Sequence, residues 1–542
     1  MDCTSIPLNA LPHTSRLFRD YVSHAPAAAG LFPHHYRDSN SYQEAARQVR
    51  YPDELRRSMV QLLTEQNLVW GASPARERNL SRLAQANCLT VVTGQQVGLF
   101  TGPAFAIYKA LTAVKLAEHL SARGIEAVPI FWMATEDHDL AEVDHTLVQD
   151  RDGRPQTIRY PGEPAVADSP AGSLTLGDDI AASMELLRQM LPECAGADQV
   201  VEWLRAAYRP GATLGSAFGG AMAQLLGAFG VLTINPLDAR VHRLTTQVFQ
   251  QAAKDSTALR DLLLARNEQL IANGFHAQVR VGEQSTLLFA YEAGKRSILH
   301  SQGQNFVSST DKKYSAGEIA KIAAESPEML SPTALLRPVM QDALFPTVAY
   351  VGGPAEIAYL AQSAPLYERI LGRMPVVAPR ASVTLIDSPI QRLIGKYNLS
   401  LEDVFAGRQQ LREKMAARFF SEDLTVRFAS ATESLEQQMS AIQQALQKLD
   451  PTLVDAAKNG AQKMLYQLTS LERKAAASVQ GKNDQVERDA TRLENAVYPE
   501  KAMQERIYCG ASLLARYGLG LMDELYQAIP AIPVDHQILI SS

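Results

Sequence analysis

An apolar run, Leu89-Thr90-Val91-Val92, feeds a loop with three glycines and then a helical pattern beginning near Phe105-Ala106-Ile107-Tyr108. The loop reads Thr93-Gly94-Gln95-Gln96-Val97-Gly98-Leu99-Phe100-Thr101-Gly102-Pro103. The helix is expected over 104–123, with Gly124 as its stop. A second apolar run, Val128-Pro129-Ile130-Phe131-Trp132-Met133, then ends in Glu136-Asp137-His138-Asp139. Strand, helix, strand in this order calls for parallel pairing through a right-handed crossover. The unit therefore sets the class as α/β, with ligands expected beyond the carboxyl ends of the strands. The glycines let backbone approach a ligand closely, although the spacing is neither that of the Walker loop nor that of the dinucleotide fingerprint.

The rest of the chain sorts around this unit. Residues 1–85 read as mostly helical, with Met59, Leu62 and Leu63 at amphipathic spacing. The first core part is 86–149. Residues 150–212 carry Pro155, Pro161, Pro164 and Pro170, which prevent long helices, so they read as an insert. A second core part, 213–249, offers a helix over 217–229 and a strand over 230–236. A second insert, 250–330, carries a helix, an alternating strand-like run at 277–281 and further strand text at 286–291. The third core part, 331–387, holds strands at 348–351 and 376–379. Between them Pro354 suits the first turn of a helix containing Glu356 and Tyr359.

Beyond 388 the period changes. Leu435, Met439, Ile442, Leu446 and Leu449 step by four and three, the seam of a coiled coil. Asp450-Pro451 reads as a reversal, with Asp as cap and Pro in the first turn. Met464, Leu468, Leu471 and Ala475 resume the pattern, and Val479, Val486 and Leu493 continue it seven apart. Gly481 is a weak point, costing about 1 kcal/mol relative to Ala. Residues 388–498 are thus expected as an antiparallel helical hairpin, ended by Pro499, with a C-terminal helix and tail over 499–542. A seam that one hairpin does not cover predicts a homodimer.

The chain has 542 residues and a formal net charge of −6, which leaves no cationic excess for nonspecific nucleic-acid binding. Its cysteines, Cys3, Cys88, Cys194 and Cys509, form no CxxC pair and suit a reducing, cytoplasmic setting. The N-terminal residues carry no export signal, and no apolar run reaches membrane-spanning length.

His138 among carboxylates is the strongest chemical cluster. It can serve as acid, base or ligand, with Asp137 and Asp139 as orienting partners and Glu142, Asp144 and His145 nearby. A solvated turn and a metal site are the competing readings, and no resident metal is expected. Gln95 and Gln96 offer uncharged donors and acceptors that suit a sugar or amino acid. Arg337 and Arg380 can hold carboxylate or phosphate in a planar fork. Asp342 either joins them or forms a structural pair with an arginine. Glu356 and Tyr359 share a helical face and could meet an amine and a hydroxyl. Lys109 could reach a phosphate or stand solvated.

Three motifs, TGQQ-x-GL-x-TGP at 93–103, FW-x-A-T-E-D-H-D at 131–139 and RP-x-x-QD…Y-x-GGP-x-E-x-x-Y at 337–359, together resemble the bacillithiol biosynthesis cysteine-adding enzyme family. The resemblance covers nearly the whole chain. It implies a Rossmann-like core with connecting inserts and a coiled coil that dimerises. It also implies a ligase joining cysteine to glucosaminyl-malate in the last step of bacillithiol synthesis. The glycine loop is similar to the first signature of class I tRNA-synthetase-like nucleotidyl transferases, without their paired histidines. On that analogy Thr93, Gly94, Gly98, Thr101 and Gly102 would contact a nucleotide, and ATP with magnesium would supply the energy. Adenylation, phosphorylation and a different activated cysteine all remain open as routes. A noncatalytic nucleotide-binding scaffold dimerising through its coiled coil is the alternative from another class, and a metal hydrolase of thiol conjugates is a third.

Overall fold

The computed structural model describes residues 1–164, 166–303, 305–417, 422–480 and 484–541; Gly481 lies outside them. The chain forms two compact units, one from 1–384 with 505–539 and one from 385–504 with 540–542.

The first unit is built on a five-stranded sheet: β1 Leu89–Gln95, β2 Ala127–Met133, β3 Leu232–Ile234, β4 Thr347–Gly352 and β5 Val376–Pro379. The order is β5-β4-β1-β2-β3, with every pairing parallel. This is Rossmann topology, and the order reverses between β1 and β4. Both faces of the sheet are covered, so its strands read as continuous apolar runs: Val91, Val92, Ile130, Phe131 and Val351 are fully buried. Helix α1, Phe105–Ser121, packs on β1 and β2 and is buried nearly all round, which explains its lack of a polar face. Helix α2, Leu214–Leu226, starts at a reciprocal cap between Thr213 and Ser216. Helix α3 spans Arg337–Leu344, and α4 spans Pro354–Leu371 directly after β4.

The N-terminal helices brace this sheet. Arg56, from the helix Asp53–Leu68, donates to the carbonyls of Leu83, Ala86 and Cys88 and fixes the lead into β1. Asn67 acts as a substitute strand for the short edge of β3. Its Nδ2 donates to Thr233 O at 2.8 Å, and its Oδ1 accepts from Thr233 N at 3.0 Å.

Around the sheet, the first insert pairs His145–Gln149 with Pro155–Arg159 and adds the helices Ile180–Met190 and Ala195–Ala207. The second insert is an antiparallel sheet in the order Lys313–Ser315, Asn305–Ser308, Lys295–Gln302, Ser285–Glu292, Leu330–Pro332. The strand expected at 277–281 does not form. Gln362 of α4 takes that backbone instead, accepting from Val279 N at 3.0 Å and donating to Val279 O at 2.7 Å.

In the second unit the helices Glu422–Leu449 and Val454–Gln480 pack on each other. Asp450 turns the chain by accepting from Thr452 N at 2.9 Å, and Pro451 opens the turn. Met439 is buried here, whereas Ile442, Leu449, Met464 and Leu471 are exposed. Val486 and Leu493 do not extend the hairpin seam. They are buried on a separate helix, Asp484–Val497, which packs against Ser388–Tyr397, Leu401–Phe405 and Arg408–Ala417. Residues 505–539, expected as part of a tail, belong to the first unit. No described helix is long and apolar enough to cross a membrane.

Candidate active site

The glycine loop begins where β1 lies tightest against β2. A Cβ on Gly94 would sit 2.7 Å from Trp132 O, so the strand end admits only glycine. Further on, Gly98 and Gly102 touch: a Cβ on Gly98 would lie 2.8 Å from Gly102 Cα. Three of the loop's amides already have protein partners. Gly98 N donates to Gln96 O, Gly102 N to Leu99 O, and Thr101 N to the Tyr208 hydroxyl. Gly510 N in turn donates to Gly102 O at 3.1 Å. Thr93 is buried and bonds Val351 O at 2.8 Å, joining β1 to β4. Of the five residues expected at a nucleotide, Gly94 alone lines the pocket beside the loop. Gly98, Thr101 and Gly102 serve close packing, and Thr93 serves strand pairing.

That pocket, a cavity of about 260 Å³, opens at the carboxyl ends of β1 and β4, at the reversal of strand order. Lys109, Arg337, Arg380 and Arg506 all line it, as do the first residues of α4. Lys109 is buried. Its Nζ donates to Gly94 O at 2.8 Å and Gln95 Oε1 at 2.9 Å, and it pairs with Glu356. Burial holds the Lys109 ammonium below the ordinary lysine range, with Glu356 opposing. Glu356 also accepts from Gly353 N at 2.8 Å and from the Tyr350 hydroxyl at 2.9 Å; the Tyr359 hydroxyl stands 3.5 Å away.

Arg380 is fixed by Glu505, with Nη2 to Oε1 at 2.6 Å, and Glu505 itself accepts from Val383 N. Burial works to raise the Glu505 carboxyl, but Arg380 outweighs it and holds it below its usual range. Phe105 stands among the cations, its ring centre 5.0 Å from Arg380 Cζ and 5.7 Å from Lys109 Nζ. Lys109 and Arg380 thus have carboxylate partners. Arg337 and Arg506 have none within 4 Å among the described residues. Burial works against the charge on Arg337, yet Tyr359 and Asp137 hold its pKa above the ordinary value. Two buried atoms on pocket-lining residues, Trp132 Nε1 and Gln341 Oε1, also lack protein partners. The wall therefore offers two guanidinium groups without a carboxylate ion pair, a helix N-terminus, one spare donor and one spare acceptor, a set suited to an anionic ligand.

The acidic turn after β2 lies beside this pocket. Gln96 Nε2 donates to Asp137 Oδ2 at 3.1 Å and to Glu142 Oε2 at 2.8 Å, and both Gln96 and Glu142 line the cavity. Burial pushes the Asp137 carboxyl up, but Arg337 and Arg296 outweigh it, so Asp137 stays below the usual carboxylate range. His138 is one-third exposed and is not on the pocket wall; its Nδ1 meets Arg296 Nη1 at 3.0 Å. Asp139 is exposed. Glu136 is buried and pairs with His242 Nε2 at 3.0 Å. Burial would lower the His242 pKa, yet Glu136 holds it above the ordinary value.

The structure brings Gln95, Gln96, Arg337, Glu356, Tyr359 and Arg380 to one cavity. Asp342 stands apart. It is buried, accepts from the Tyr367 hydroxyl at 2.6 Å, and lies beside Arg373, which donates to its carbonyl. Burial raises its carboxyl to about 6. The turn between Gln341 and Asp342 sends one side chain to the pocket and its neighbour into the core. Sequence reasoning missed Phe105, Tyr350, Glu505 and Arg506. The aromatic residues read as core, and the last pair sits in a stretch without a motif. Among the described residues, no group of three or more His, Cys, Asp or Glu is arranged to hold a metal ion.

A Rossmann-like sheet whose reversal point gathers arginines and a helix N-terminus defines an α/β protein with a cationic pocket beyond its strand ends. Comparison with known proteins narrows this. Residues 1–381 match the family described as "Bacillithiol biosynthesis BshC, N-terminal Rossmann-like domain". Residues 383–541 match "Bacillithiol biosynthesis BshC, C-terminal coiled-coil domain". The chain belongs to the BshC family of bacillithiol biosynthesis. A relative from Solibacter usitatus is 38% identical over 540 residues, covering 100% of both chains. One from Koribacter versatilis is 38% identical over 99% of both chains. A third, from Salinibacter ruber, is 30% identical over 98% of this chain and 97% of its own. All three carry the name "Putative cysteine ligase BshC".

Proposed function

We propose that this chain is a ligase that joins the carboxyl carbon of cysteine to the amine of glucosaminyl-malate, the last step of bacillithiol synthesis. The names of its full-length relatives support the ligase class. The observation that carries the reading is the placement of two guanidinium groups without a carboxylate ion pair, Arg337 and Arg506, beside the α4 N-terminus in one cavity. Malate, cysteine and phosphate groups are all anions that such a wall holds.

Carboxylate and amine do not condense in water, so the cysteine carboxyl needs activation. In this reading ATP supplies it, and magnesium enters with the nucleotide. The packed glycine loop fits poorly as a phosphate cradle, because the amides of Gly98, Thr101 and Gly102 already have partners. The cations of the cavity fit that role better. Arg337 and Arg506 then hold the substrate or leaving-group anion, while Lys109 and Arg380, each matched by a carboxylate, keep the wall rigid. Glu142, held by Gln96 on the cavity wall, takes the proton that the attacking amine sheds. The chain works as a homodimer whose contact is the exposed seam of the long hairpin.

The test supplies purified protein with glucosaminyl-malate, cysteine and ATP. A new thiol conjugate by mass spectrometry, with stoichiometric nucleotide cleavage, is the expected result. AMP with pyrophosphate reports adenylation, and ADP with phosphate reports phosphorylation. Nucleotide binding without any conjugate would replace the ligase reading with the scaffold one.

A further inference from the structure

The second insert reaches the acidic turn through one side chain. Arg296, on the strand Lys295–Gln302, is buried, and each of its three guanidinium nitrogens is committed. Nε donates to Ser331 Oγ at 2.8 Å, Nη2 donates to Pro332 O at 2.8 Å, and Nη1 meets His138 Nδ1 at 3.0 Å. Its plane lies over Phe289, with Cζ 3.8 Å from the ring centre. The same ring meets His138 edge-on at 5.8 Å. The fork is therefore fixed by the strand Leu330–Pro332 and by Phe289, independently of the histidine it touches.

A guanidinium has donors only. The imidazole nitrogen facing it must therefore present a lone pair, and the ring proton must sit on the other nitrogen. Nε2 has no protein partner among the described residues, and the ring is one-third exposed. The charged groups in contact with His138 are Arg296 and, at 3.8 Å from Nδ1, Asp137. Asp137 Oδ1 is already engaged by the His138 amide at 2.9 Å and stands 3.8 Å from Arg296 Nη1. It does not displace the arginine from Nδ1.

We infer that Arg296 is a positioning residue that fixes the His138 tautomer, with Nδ1 bare and the ring proton on Nε2, so that the nitrogen without a protein partner is a hydrogen-bond donor and not a base. The consequence for the reaction rests on the ligase reading; the tautomer does not. The second insert, in this view, sets the protonation pattern of a turn belonging to the core.

The direct test uses the unaltered full chain with nitrogen-15-labelled histidine, its His138 signals assigned by their loss in His138→Gln. Expected at neutral pH is a bare Nδ1 and a protonated Nε2. A proton on Nδ1, or on both nitrogens, overturns the proposal whether or not the protein makes any product. In Arg296→Gln, shown to be folded by its unfolding transition, the single tautomer should give way to a mixture. An unchanged tautomer there also overturns it.

Discussion

Lys109 and Glu356 pair across the reversal point of the sheet, tying the second turn of α1 to the first turn of α4. Both are largely withdrawn from solvent, and each has further polar partners, so the pair fixes the distance between the two helices that flank the cavity. Breaking such a pair on one side strands a buried charge. Glu356→Gln or Lys109→Met should each lower stability by about 3 to 5 kcal/mol in denaturant unfolding. The double variant should lose less than the sum, with a coupling of about 1 to 3 kcal/mol.

Arg337 and Arg506 have no carboxylate ion pair among the described residues, and their loss should register in binding and not in folding. Arg337→Lys keeps the charge and loses the planar fork. Its KM for the anionic substrate should rise about 10-fold, the equivalent of about 1.4 kcal/mol. Arg506→Ala should behave alike, with an unfolding midpoint close to that of the unaltered chain. A large fall in the midpoint with unchanged KM would make these arginines structural.

Asp342 separates two roles by its pH dependence. Its folded carboxyl titrates at about 6, above the unfolded value near 4, because it is buried. The folded state therefore binds more protons between these values, and its stability falls as pH rises through that window. Asp342→Asn removes the ionisation. It should stabilise the protein by about 1 to 3 kcal/mol at pH 7, with the gain vanishing below about pH 4. Activity should change little. A sharp loss of turnover at unchanged stability would instead put Asp342 at the substrate.

The exposed Ile442, Met464 and Leu471 make the hairpin's association testable. Charged replacements, Ile442→Glu with Leu471→Glu, should convert a dimer to a monomer in sedimentation. Their effect on helical content should be small, since the side chains are already in solvent.

Much of the sheet was legible because its strands are apolar on both faces and end abruptly in glycine or charge. Val348 to Gly353 and Leu89 to Gly94 show both marks. The hairpin turn was legible because Asp450-Pro451 has one good reading between two heptad runs. The alternating run at 277–281 misled, since a period of two marks any extended segment, and Gln362 can stand in for a neighbouring strand. The glycine loop misled differently. Glycine permits close approach of a ligand or of more protein, and only the contact between Gly98 and Gly102 tells which. The partner of His138 was illegible for a third reason. Arg296 lies in a separate insert, and no local spacing links it to the turn after β2.

The return of the chain to its first unit at residue 505 has a consequence for synthesis. Glu505 anchors Arg380, Arg506 completes the cationic wall, and Gly510 bonds the glycine loop, yet all three are translated after the whole helical unit. A nascent chain therefore carries all five strands of the sheet for more than a hundred codons without a finished site. A product cut short in the hairpin would own the sheet, the inserts and every motif, and still lack the groups that close the cavity. A complete cavity wall is thereby reserved for chains that the ribosome has carried past the coiled coil.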